Sequence, residues 1–212
     1  MKKLRCMQMN LREYKALLLV VTTTLALFVA SPALQRLLVY PQTEFFTEMW
    51  LLGPEHQAED FPFNITSNTN YRIYVGLGNH LGSYGFYSIQ VKLRNQTQPA
   101  ADSFARTPSS LPPLYSITAL VADKETWESM IIVSFDYTYI VDPDSAILSK
   151  VNVNSVTINS ATLNLNGLSA TWDPERSGFF VYLFFELWIY NEVPDGFQYN
   201  ERFTSLRFNM TI

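Results

Sequence analysis

The chain has 212 residues, of which 48% are hydrophobic, 15% aromatic and only 16% charged. This excludes a disordered chain and a coiled coil, and it leaves enough apolar material for a real core. A net charge of −4 argues against a nucleic-acid binder, and two histidines with a single cysteine leave almost nothing for a zinc site or a disulfide framework.

The charge is unevenly placed. Residues 1–40 hold six of the 15 basic residues (Lys2, Lys3, Arg5, Arg12, Lys15, Arg36) and one acid, Glu13. Residues 41–212 keep nine basic and eighteen acidic residues, a net of −9. The basic segment 1–15 precedes an apolar run that begins at Ala16 and has no Asp, Glu, Lys or Arg before Arg36. A run of about 20 residues is what a membrane-crossing helix needs. We therefore predict a cytoplasmic basic segment at 1–15 and a transmembrane helix at 16–38. Basic residues stay inside, so residues beyond about 40 are expected outside the cell membrane, in single-pass topology. Thr22, Thr23 and Thr24 are tolerable in lipid because a threonine hydroxyl can bond back to its own helix. Two readings compete for the segment. A retained signal anchor is favoured by Pro32 and by the apolar residues that resume at Leu37. A cleaved signal peptide is favoured by the small residues Ala30, Ser31 and Ala33. Cys6 precedes the run, so it is no lipoprotein cysteine and reads as an ordinary cytoplasmic thiol.

Residues 41–212 read as strands. Period-two alternation places Tyr71, Ile73, Val75 and Leu77 on one face, then Tyr87, Ile89, Val91 and Leu93. Ile131, Val133, Phe135, Tyr137 and Tyr139 form a third row, and Leu206, Phe208, Met210 and Ile212 a closing one. Val151-Asn152-Val153 and Leu163-Asn164-Leu165 predict two short strands. Turn signals lie between: Asn79-His80-Leu81-Gly82 as a hairpin joining the first two rows, the Pro- and Ser-rich 99–113, Asp142-Pro143-Asp144, and Pro194-Asp195-Gly196. Residues 178–190 (GFFVYLFFELWIY) are too short to span as a helix and carry Glu186, so they read as a long central strand. Both its faces are apolar. The row Phe180, Tyr182, Phe184, Trp188 and Tyr190 must then be covered internally, the favoured reading, or serve as a contact patch. Together these elements predict a mainly β fold, an immunoglobulin-like antiparallel β-sandwich over 41–212 preceded by one transmembrane helix, with an open barrel as the alternative.

The segment FTEMWLLGPEHQAEDFPFNIT, residues 46–66, carries a resemblance. Phe46-Thr47-Glu48, Leu51-Leu52-Gly53-Pro54, Ala58-Glu59-Asp60, Phe61-Pro62 and Asn64-Ile65-Thr66 resemble the opening of an uncharacterised, mostly archaeal membrane protein family, the domain of unknown function sixteen-sixteen. Val75-Gly76, followed by Asn79-His80, resembles its next segment. After Ala122-Asp123 the family's usual form has Gly, and here Lys124 stands. The resemblance covers roughly 44–139 and, more loosely, 178–212, with 140–177 as an insertion. It implies an extracytoplasmic immunoglobulin-like domain anchored to the membrane and no known reaction.

No catalytic, cofactor-binding or metal-ligating set emerges. Glu55, Glu59 and Asp60 read as a solvated acidic loop before they read as a cation site, and His56 has no partner visible in the sequence. Asn79-His80 reads as a turn. There is no Gly-x-Ser-x-Gly elbow, no phosphate loop and no His-Glu-x-x-His, so an enzyme is not expected. Three sequons, at Asn64, Asn95 and Asn209, are N-glycosylation candidates because all fall on the expected outer side. The expected function is a structural or interaction module of a cell-surface or membrane complex. It would contact lipid through the helix and a protein partner through a sheet face, with N-glycans attached and no nucleic acid bound. A glycan- or ligand-binding module stacking on Trp50, Trp127, Trp172 or Trp188 is the alternative, favoured if two or more lie exposed on one face.

Overall fold

The computed structural model describes residues 11–37, 45–141, 144–159 and 168–211. The chain divides into two compact units, residues 1–44 and 45–212.

The described residues of the first unit form a helix, α1 (Leu11–Leu37). Within it Tyr14–Ser31 has a mean hydropathy of 1.8, long and apolar enough to cross a bilayer. The threonines bond back as expected: the Oγ1 atoms of Thr22, Thr23 and Thr24 donate to the carbonyls of Leu18, Leu19 and Val20 at 2.8, 2.7 and 2.8 Å. Their hydroxyls are thus satisfied without water.

The described residues of the second unit form eleven strands: β1 (Phe46–Leu52), β2 (Asn64–Ile65), β3 (Tyr71–His80), β4 (Gly85–Arg94), β5 (Tyr115–Val121), β6 (Thr126–Ile140), β7 (Ser145–Val153), β8 (Val156–Asn159), β9 (Ser169–Asp173), β10 (Gly178–Asn191) and β11 (Gly196–Met210). The fold is mainly β with one N-terminal apolar helix, as the alternation predicts. The strands form one curled mixed sheet in two halves. One half runs β1-β3-β6-β7 with β8 at its edge, and the other runs β5-β4-β10-β11-β2. Five-residue β9 joins them: Ser169, Ala170 and Thr171 pair with β7, while Trp172 and Asp173 pair with β10. Every described ladder is antiparallel except β2 on β11.

The predicted inward rows supply the core between the halves. Ile73, Val75 and Leu77 from β3, with Ile131, Val133 and Phe135 from β6, are fully buried. They meet Tyr87, Ile89 and Val91 of β4, the odd-numbered row of β10, and Leu206 and Phe208 of β11. The rings of Phe135 and Phe208 are 5.1 Å apart across the interface. Burying such side chains stabilises by about 1.5–3 kcal/mol each before conformational entropy is counted. Tyr139 departs from its predicted row and is exposed at the end of β6.

One expectation is corrected. The turn at Asn79–Gly82 does not close a hairpin, because β3 pairs with β1 and β6 whereas β4 pairs with β5 and β10. It is a corner that carries the chain from one half to the other. Asn79, fully buried, makes the corner: its Nδ2 donates to the carbonyls of Ser83 and Val121, and its Oδ1 accepts from the Leu81 amide and the Tyr87 hydroxyl. The segment 140–177 contributes β7 and β9 to the sheet, and β9 links the two halves. Val151 and Val153 lie in β7, while 163–165 and Asp142-Pro143 fall outside the described residues.

Candidate functional site

The outer face of the β4-β10-β11 half settles how the second row of β10 is treated. Phe180, Phe184 and Glu186 are buried. Burial of Glu186 requires a partner, and Lys92 on β4 supplies it, Nζ to Oε2 at 2.7 Å. Register explains the pairing: Lys92 stands opposite Phe184, one diagonal step from Glu186. The loop between β4 and β5 completes the cluster. The Ser109 amide donates to Glu186 Oε1 at 2.7 Å, and Lys92 donates to the Ser109 carbonyl at 2.9 Å. Both charges are paired and buried, so this cluster straps the loop across the sheet rather than presenting reactive groups. The favoured internal covering therefore holds for Phe180, Phe184 and Glu186, whereas Tyr182 between them is half-buried, with Arg94 4.2 Å from its ring centre.

Beyond Glu186 the row emerges. Trp188 is half-buried against Tyr199, with ring centroids 5.7 Å apart, and Tyr190 contacts Phe86 and Phe197. Here β11 carries a bulge. Trp188 pairs with Tyr199 and Leu187 with Arg202, which leaves Asn200 and Glu201 without partners on β10. The bulge turns outward to β1: Thr47 Oγ1 donates to Asn200 Oδ1 at 2.7 Å, and Arg202 Nε donates to the Thr47 carbonyl. At Thr47 the free side of β1 is tied to β11 in this way. A cleft of about 310 Å³ opens beside it, lined among others by Phe46, Leu81, Asn191, Gln198 and Tyr199. Burial pushes the Tyr199 phenol up to about 12, and its hydroxyl is enclosed without a hydrogen-bond partner. A phenol, the amides of Asn191, Gln198 and Asn200, the charges of Glu201 and Arg202 and apolar walls can hold a polar segment of another chain; they do not form a nucleophile–base pair.

A second surface lies along β5, which pairs with β4 alone and so leaves one backbone edge open among the described residues. Its sequence, YSITALV, has no charge and no proline. Natural sheets normally blunt such an edge with one or the other.

The residues singled out by sequence are dispersed. Asn95 is buried and committed: its Oδ1 accepts from the Thr97 and Gln98 amides at 3.0 Å, and its Nδ2 donates to the Ser169 carbonyl at 2.9 Å. Asn64 is exposed and stands beside Asn209, whose Nδ2 donates to the Asn64 Oδ1 at 2.9 Å. Asn209 does not point freely to a polar face; it is half-buried and its own Oδ1 has no partner. Trp172 is exposed at the mouth of a smaller cleft that also contains Asn209, whereas Trp50, Trp127 and Trp188 are half-buried. Trp50 lies flat on Gly76, where a Cβ would come within 2.0 Å of the indole. Glu55, Glu59 and Asp60 are exposed, and His56 meets Glu128 at 3.0 Å. Among the described residues no three His, Cys, Asp or Glu side chains converge to hold a metal. Sequence reasoning missed the Lys92–Glu186 cluster, the bulge and the β5 edge. Glu186 inside an aromatic row was the one visible signal for the first.

One further feature bears on family. Lys124, in the turn between β5 and β6, has φ +64°, a left-handed conformation that favours glycine, and its amide donates to the Asn79 carbonyl at 2.6 Å. It is the position at which the resembled family has Gly. Residues 41–139 match the family model of the domain of unknown function DUF1616. The DUF1616 match contains β1 to β5 and ends one residue before the end of β6, so 178–212 lie beyond it. No curated protein matches the chain in sequence.

Proposed function

We propose that this protein is a single-pass membrane protein, N-terminus in the cytoplasm, that displays its β unit outside the cell as a structural or interaction module of a membrane complex. The unit is a non-enzymatic, immunoglobulin-like scaffold in this reading. The observation that carries it is the β5 edge: seven residues with high β propensity, no charge and one open backbone side. Such an edge is a template for a strand contributed by another polypeptide, with main-chain bonds giving affinity and alternate side chains giving specificity. The leader's excess of basic residues supports the orientation. Outside the membrane the exposed Asn64 is the accessible sequon, and Asn95 is not modified in the folded unit because a glycan would replace its bond to Ser169.

The test is mild extraction of the full chain, with native mass and intact-mass analysis of the chain and of a Ser116→Lys/Thr118→Lys variant that charges the edge. The expected result is a complex containing a second polypeptide, lost in the variant while its melting temperature is kept. Intact mass should also show a retained leader and a glycan at Asn64 with none at Asn95. Recovery of the unaltered chain as a lone monomer from membranes overturns the interaction reading.

A second reading has one observation behind it. Exposed Trp172 packs edge-to-face on Phe179 beside a cleft of about 260 Å³ that Asn209 also lines. That is a single stacking platform for a glycan. Titration with neutral oligosaccharides, read by tryptophan fluorescence and compared with Trp172→Ala, decides it.

A further inference from the structure

We propose that the end of the β unit at which the chain arrives from α1 rests on the lipid surface, with a collar of exposed apolar side chains seated in the bilayer interface. This rests on the membrane-anchor reading above and adds to it a defined lipid-contacting surface.

Register brings the collar together. β1 begins at Phe46, opposite His80 at the end of β3. β4 begins at Gly85, opposite Val121 at the end of β5, and Phe86 pairs with Leu120. β10 ends and β11 begins at the same level, with Tyr190 opposite Phe197. Phe86 joins these strands by ring contacts of 6.1 Å to Tyr190 and 5.2 Å to Phe197. Phe45 lies over the corner, where Gly82 (φ +74°) leaves room that a Cβ would reduce to 2.8 Å. Exposure here is high for apolar residues: Phe45 70%, Tyr84 73%, Phe86 40%, Leu120 66%, Tyr190 37% and Val193 89%. Aromatic residues with one polar tip, such as Tyr84 and Tyr190, suit the membrane–water boundary.

The occupant follows from the chain's own tether. Seven residues, 38–44, join Leu37 to Phe45. Fully extended they reach at most about 30 Å, comparable with one bilayer core. With α1 in the membrane, Phe45 is held within that distance of the helix end, and lipid is present at an enormous effective concentration. The opposite end also exposes apolar residues, Val141 among them at 77%, but the chain from α1 does not enter there. Glu192 and Asp195 flank Val193, so the fitting surface is a zwitterionic one rather than an anionic one.

The experiment uses the full chain with Cys6→Ser, carrying one cysteine at a time for an environment-sensitive dye: Val193→Cys in the collar, Val141→Cys at the opposite end, Leu25→Cys in α1. Each is placed singly in nanodiscs of phosphatidylcholine or its brominated form, and quenching by bromine is compared with quenching by aqueous iodide. The expected result is severalfold stronger bromolipid quenching at positions 193 and 25 than at 141, with position 193 losing that excess in a Phe86→Ser/Leu120→Ser background of unchanged melting temperature. Quenching at 25 but equal, weak quenching at 193 and 141 overturns the docking and leaves the anchor standing. No quenching at 25 overturns the anchor, and the docking with it. Protection of 193 from both quenchers shows protein rather than lipid on the collar and overturns the assignment.

Discussion

At the level of single residues, Lys124 holds the clearest link between sequence and backbone. A side chain in the left-handed region costs about 1–2 kcal/mol, and glycine escapes most of that. The turn needs the conformation because the Lys124 amide must reach the Asn79 carbonyl while Asn79 itself fastens the corner between the two halves. Lys124→Gly should therefore raise stability by about 1 kcal/mol, a gain partly offset by the greater freedom of glycine in the unfolded chain. A rise in denaturation midpoint at unchanged slope checks it; a fall would show that the lysine side chain contributes more than its backbone strain removes.

Strands and loops are where the buried ion pair acts. Lys92 and Glu186 lie in β4 and β10, and Ser109 brings the intervening loop down on both. Removing one charge leaves the other buried and unpaired, so Lys92→Met should destabilise by about 3–5 kcal/mol. Lys92→Met combined with Glu186→Leu should recover much of this but not all. The Ser109 amide and carbonyl then lose their partners, at a cost of about 1–3 kcal/mol for each buried group left unsatisfied. Chemical denaturation of the three forms gives the cycle, and additivity of the two single changes would contradict it. The same pair shows why sequence reading stops where it does. Ile89, Val91 and Leu183 announce their inward face by local alternation, and β3, β4, β6 and β11 are legible on that ground. A partner 94 residues away is not local. It depends on which strands are neighbours and in which register, and neither is written in periodicity. The corner at Asn79 misleads for the same reason, because consecutive strands pair more often than not. Two-residue β2 and five-residue β9 are too short to carry a pattern at all.

For the whole molecule, the open edge of β5 runs into the apolar collar at Leu120, so the two proposed surfaces adjoin. Removing residues 1–44 should release the β unit from the membrane fraction while its strand content persists, because α1 and the β unit are separate compact bodies. Sedimentation with circular dichroism checks both halves of that statement. If the shortened chain stays with the membrane, the collar alone holds it there.

The double pairing of β9 has a consequence for where this molecule can be cut. Truncation at residue 139 removes β7 to β11 together. What remains is β1-β3-β6 as one fragment, β4-β5 as another and β2 with nothing to lie against. The stretch that matches DUF1616 is thus a unit of resemblance but not a unit of folding. Its greasy faces find their counterpart only when the last third of the chain has been synthesised, so nascent protein must wait for its own tail.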